Sequence, residues 1–89
     1  MRPPRPLPPL YATEGEADPL VLARWFHPAT GWEWYAWESD GRVCFGLVRG
    51  FEEELGYFDL EELARAGALP DPGFEPLRLS RLRASGRGA

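Results

Sequence analysis

The chain has 89 residues, enough for one domain, and four Trp, five Phe and three Tyr give it the means to build an aromatic core. A single cysteine excludes an internal disulfide and a cysteine-based zinc site. The formal net charge of −4 hides an asymmetry, because residues 11–76 hold all 14 acids and only four of the ten basic residues, which argues against a body that grips nucleic-acid phosphates.

Every basic residue is Arg, and Lys, Ile, Asn and Gln are absent. Lys, Ile and Asn have AT-rich codons, so this usage points to a GC-rich genome, and the lack of thermolabile Asn and Gln fits a thermophile. No apolar run approaches the ~20 residues needed to cross a bilayer. Prolines interrupt the apolar part of the N-terminus, which is not patterned as a signal peptide. The expected localisation is cytoplasmic.

Residues 1–10 contain five prolines and are expected to be extended polyproline II. Arg5-Pro6-Leu7-Pro8-Pro9-Leu10 has the form of an SH3 ligand, a basic residue beside PxxP, but reads more simply as a leader whose Leu7 and Leu10 lie along the domain surface. With the polar stretch 12–19 it makes a leader and linker over 1–19. A single α+β domain is expected over 20–79 and a disordered basic tail over 80–89. Within the domain, Leu20 to Phe26 reads as the first strand, and residues 27–31 turn the chain into Trp32. His27, the only histidine, reads as a surface residue rather than a metal ligand.

Trp32 to Gly50 reads as the central β-hairpin, with Asp40-Gly41 as a type I′ turn. Counting outward from that turn sets Ser39 opposite Arg42, Trp37 opposite Cys44 and Tyr35 opposite Gly46, the Tyr35 ring lying over the glycine. Alternation then places Trp34, Ala36, Glu38, Val43, Phe45 and Leu47 on the core face. Tyr35, Trp37, Arg42 and Val48 fall on the other face, a candidate interaction face. Its cover is expected to be the leader, the C-terminal strand, a second copy in a homodimer, or an outside partner. Cys44 reads as a small buried hydrophobe rather than a nucleophile.

Past an acidic loop, Leu55-Gly56-Tyr57-Phe58 reads as a strand beside 43–48. Helix 60–66 has the clearest local signals: Asp59 as N-cap, Glu62 completing a capping box, Phe58 and Leu63 as a staple, and Gly67 as terminator. Residues 68–73 read as a loop, and 74–79 as an extended segment held to a sheet edge by Pro76. The expected architecture is α+β: an antiparallel sheet of three to five strands around hairpin 32–50, with one short helix packed on one face.

Arg24-Trp25-Phe26-His27-Pro28, then Trp34 with Glu38, then Phe45-Gly46-Leu47, resemble in order and spacing a bacterial family catalogued as domain of unknown function 2958. Glu54-Leu55-Gly56-Tyr57, the Phe58-x-Leu60-x-Glu62-Leu63 helix start, and Asp71 through Phe74-x-Pro76 extend the resemblance over roughly residues 20–80. It implies a small protein of plasmids and other mobile elements, and brings no activity, cofactor or site residue. The Pro-rich leader, Trp32 and Trp37 depart from the family's pattern.

One His, one Cys and no Lys leave no nucleophile–base pair or metal cluster, so neither catalysis nor a cofactor is expected. Glu52, Glu53, Glu54, Glu61 and Glu62 form a candidate acidic surface, read as a solvated rim matched to the helix dipole. The sharper alternative is a mimic of DNA phosphates that inhibits a nucleic-acid enzyme for a mobile element. A third reading stacks single-stranded nucleic acid on Tyr35 and Trp37, which the acidic body opposes. The leading expectation is a non-enzymatic protein-interaction module whose partner is another protein or a second copy, with no membrane and no small-molecule substrate.

Overall fold

Apolar alternation between Leu20 and Asp59 produces β1 (Leu20–Val21), β2 (Ala23–Phe26), β3 (Glu33–Ser39), β4 (Val43–Arg49) and β5 (Glu53–Asp59). The computed structural model describes residues 1–85, and the remaining elements are α1 (Leu60–Ala66), β6 (Leu69–Pro70), β7 (Leu77–Arg78) and α2 (Leu79–Ser85). One antiparallel sheet has the order β5-β4-β3-β2-β6, and β1 pairs with β7 in a small second sheet. The α+β class and the sheet around the hairpin match the sequence reading. The expected first strand is divided: the Leu22 N–H still reaches the Ala36 carbonyl, but residues 20–21 pair with β7.

The hairpin register differs from the expected one for two reasons. The Asp40 carboxylate accepts the N–H groups of Arg42 and Val43, at 2.9 and 2.7 Å, and only Gly41 takes a positive φ, so the loop is wider than a type I′ turn. Ser39 therefore pairs with Cys44, not Arg42. A β-bulge then makes Trp37 an extra residue between the Ala36–Gly46 and Glu38–Phe45 pairs. Two residues opposing one turns Trp37 and Glu38 to the same side. Tyr35 consequently pairs with Leu47, and its backbone rather than its ring approaches Gly46.

Both sides of the sheet are covered by a helix, where the sequence reading placed one helix on one face and left the cover of the other open among several candidates. Trp25, Ala36, Cys44 and Phe58 lie beneath Leu60 and Leu63 of α1. On the opposite side Tyr35, Trp37 and Leu47 lie beneath Leu79 and Leu82 of α2. The expected core face is thus split, with Trp34 and Ala36 toward α1, and Phe45 and Leu47 toward α2.

Helix α1 forms where its local signals place it. Asp59 accepts the N–H groups of Glu61 and Glu62, and Gly67, at φ 95°, closes the helix with the Gly67 N–H on Ala64 and the Ala68 N–H on Leu63. Helix α2 corrects the expectation of a disordered tail for residues 80–85, while 86–89 lie outside the described residues. Its start is capped from a distance: Asp18 accepts the Ser80 N–H and hydroxyl, and the Pro19 carbonyl accepts the Leu79 N–H. The leader also docks. Leu7 packs against the α1-side cluster, and the Pro8 carbonyl accepts the Ser39 N–H.

Candidate interaction surface

The four residues read as one interaction face are dispersed. Tyr35 and Trp37 are 4% and 3% exposed, because α2 of the same chain covers them. Val48 lies on the other side of the sheet beside Trp34, and Arg42 sits at the hairpin turn, 2.9 Å from both Asp59 and Glu61. Of the expected covers (leader, C-terminal strand, second copy or outside partner), it is the chain's own C-terminal segment, as a helix rather than a strand, that buries these rings. The five carboxylates are also divided. Glu52, Glu53 and Glu54 stand at the start of β5, and Glu61 and Glu62 lie beyond its far end, separated by about 20 Å of strand at ~3.3 Å per residue. Arg49 pairs with Glu53 at 3.0 Å.

A polar cleft of about 410 Å³ opens beside Tyr35. Arg24 bridges Glu33 at 2.7 Å and Asp71 at 2.9 Å, and the Tyr35 hydroxyl donates to Glu33 Oε2. Burial opposes the Arg24 charge, but the hydrogen bonds it donates to Glu33, Tyr35 and Asp71 outweigh it and hold the guanidinium pKa above its ordinary value. Burial would raise the Glu33 carboxyl, and the bonds from Arg24 and Tyr35 reverse that and lower it. These bonds converge on Glu33 Oε2 and tie β2 and β3 to the 71–74 loop, while Glu33 Oε1 is buried with no hydrogen-bond partner among the described residues. Cys44 is fully buried and its thiol is pushed up to about 11 by burial, so it stays protonated at neutral pH. The His27 ring is occupied at both nitrogens: Nε2 lies 2.9 Å from the Ala66 carbonyl at the end of α1, and Nδ1 accepts the Ala29 and Thr30 N–H groups.

The open feature is β5. It has β4 on one side and, among the described residues, no strand on the other. Leu60 donates to the Arg42 carbonyl and Glu52 accepts from Gly50, so alternation turns the backbone groups of 54, 56 and 58 toward β4. The N–H and C=O groups of Glu53, Leu55 and Tyr57 then point outward, as does the Asp59 N–H, while the Asp59 carbonyl belongs to the first turn of α1. The side chains of Leu55 and Tyr57 remain 47% and 53% exposed.

Aromatic surface flanks this edge on both faces. On the α2 side a row of rings leads from the core to the edge: Trp37 to Phe45 at 5.8 Å, Phe45 to Tyr57 at 4.9 Å, and Tyr57 to Tyr11 at 6.5 Å. Between them lies a groove of about 290 Å³, walled by Glu14 and Glu16 and bordered by Leu55 and Arg83. On the α1 side Trp32 lies across Gly50 and meets Phe51, which is 91% exposed, with centroids 5.3 Å apart.

Glu38 builds the first of these walls. Its buried carboxylate accepts the N–H groups of Tyr11 and Thr13, at 2.8 and 2.9 Å, and the Thr13 hydroxyl. Tyr11 is held at φ 72°, a conformation uncommon for a non-glycine residue, with its ring 60% exposed beside Tyr57. The sequence reading placed Leu55 and Tyr57 on a strand but read none of Tyr11, Glu14, Glu16, Leu55 and Tyr57 as site residues. The one signal available was the apolar pair Leu55 and Tyr57, two residues apart on a strand. Among the described residues no helix is long and apolar enough to cross a membrane. No family model, curated protein or solved structure matches the chain.

Proposed function

We propose that the protein is a non-enzymatic interaction module that takes an extended segment of a partner protein as an added strand along β5. The observation that carries this reading is the row of outward backbone groups at Glu53, Leu55, Tyr57 and Asp59, beside side chains left half exposed. Strand addition draws affinity from main-chain hydrogen bonds and specificity from alternate side chains. A segment laid on β5 would send those side chains alternately toward Tyr57 and toward Trp32 and Phe51.

The occupant is a different protein rather than a second copy. Antiparallel self-pairing centred on Gly56 would place Glu53 opposite Asp59 twice, and like charges directly opposed destabilise a sheet. Glu52 and Glu54 add to the repulsion, and such charges are how natural edges resist self-association. The resembled bacterial family contributes no activity to this assignment.

Titrating 15N-labelled protein with a blocked peptide of alternating Thr and Val tests it. Amide shifts are expected at Glu53, Leu55, Tyr57 and Asp59 and much smaller ones at Glu54, Gly56 and Phe58. Shifts confined to other elements, or none at millimolar peptide, overturn the assignment.

A further inference from the structure

The geometry points to the Tyr11–Tyr57 groove as a receptor for a cationic side chain, an arginine or lysine carried by the segment that adds to β5. This rests on the strand-addition reading and names the class of segment it selects. Three observations on independent elements converge. The rings of Tyr11, Phe45 and Tyr57 line one groove, and aromatic faces attract guanidinium and ammonium groups. The carboxylates of Glu14 and Glu16 stand in the same wall, with no ion pair to either among the described residues. Glu38 lies beneath with its charge held by the 11–13 backbone rather than by a cation. Among the described residues Arg83 is the one basic residue lining the groove, against the carboxylates of Glu14 and Glu16.

Placement supports the same conclusion. Leu55 and Tyr57 project to the groove side, so a residue paired opposite either one directs its side chain to that side as well. The strained backbone at Tyr11 sets its ring across the groove from β5, an arrangement that spends conformational freedom before any partner arrives. An acidic or neutral segment gains the backbone bonds alone, whereas a basic one gains both.

The probes are two blocked heptapeptides, Thr-Val-Thr-Arg-Thr-Val-Thr and the same sequence with citrulline in place of arginine, which keeps the shape and removes the charge. The arginine peptide should bind about tenfold more tightly by NMR titration. The preference should vanish in Glu14→Gln/Glu16→Gln and rise in Arg83→Ala. It should also shrink in Tyr11→Asn, which keeps every charge and tolerates the left-handed backbone. Equal affinity of the two peptides, with outward-amide shifts for both, overturns the cation site and leaves strand addition standing. An arginine preference that survives Tyr11→Asn and the double variant unchanged places the cation elsewhere and also overturns it. Absence of outward-amide shifts with either peptide overturns both readings.

Discussion

The Asp18 carboxylate receives the backbone N–H and the hydroxyl of Ser80, each at 2.7 Å, and so starts a helix 62 residues further along the chain. A helix of two turns is marginal alone, so α2 depends on this bond pair and on Leu79 and Leu82. Both hydrogen bonds from Ser80 hold the Asp18 carboxyl below its ordinary value.

Asp18→Ala should therefore loosen α2 and wet the rings beneath it. The expected result is a lower denaturation midpoint together with a red shift of tryptophan emission, since Trp37 lies in that cluster. An unchanged midpoint and spectrum would show that α2 docks without its cap.

Gly46 and Gly56 face each other across β4 and β5 and should respond oppositely. A Cβ at Gly46 would stand 1.7 Å from the Tyr35 carbonyl oxygen, whereas one at Gly56 meets nothing within 4 Å. Gly46→Ala must push β3 and β4 apart, at a cost of about 3 kcal/mol or more in urea denaturation. Gly56→Ala should be neutral or slightly stabilising, through the entropy of the unfolded chain. Similar losses for both would contradict the close approach.

Asp59 joins two tasks, capping α1 and pairing with Arg42. Asp59→Ala should lower the denaturation midpoint, and Asp59→Asn, which keeps a capping oxygen, should lower it less. Equal effects of the two variants would assign the loss to the ion pair alone.

Acid should release the 11–13 segment. Burial would raise the Glu38 carboxyl, but the Thr13 hydroxyl and the Tyr11 and Thr13 amides outweigh it and hold it below its ordinary 4.5. A carboxyl lower in the folded state contributes stability that is complete above 4.5 and lost as pH falls through the folded value. The Thr13 amide resonance should follow that titration with a midpoint below 4.5, and should not titrate in Glu38→Gln. A midpoint at or above 4.5 would contradict the bonding.

Legibility in the sequence followed distance along the chain. Helix α1 was readable because Asp59, Glu62 and Gly67 lie within one short window. Helix α2 was not, because its cap comes from Asp18, and Leu79 and Leu82 alone make too thin a stripe. The hairpin was readable as a hairpin, but its register turned on two side-chain events: the Asp40 carboxylate taking two amides, and the Trp37 bulge. Strand β6 is two residues with a proline, below any periodic signal. The groove was illegible for the same reason as α2, since Tyr11 meets Tyr57 only because Glu38 fastens the 11–13 backbone.

The cap between Asp18 and Ser80 also sets an order of assembly. The α1 side of the sheet has all its strands and its helix once the chain reaches Pro70, whereas the α2 side lacks Leu79 and Leu82 until the chain reaches Leu82. During synthesis Tyr35, Trp37 and Leu47 are thus the last apolar surface to close, beside an edge strand that is already open. Contacts that join sequence-distant segments form slowly. A sheet half-covered in this way, exposed before Leu82 is made, is the kind of surface on which aggregation competes with folding.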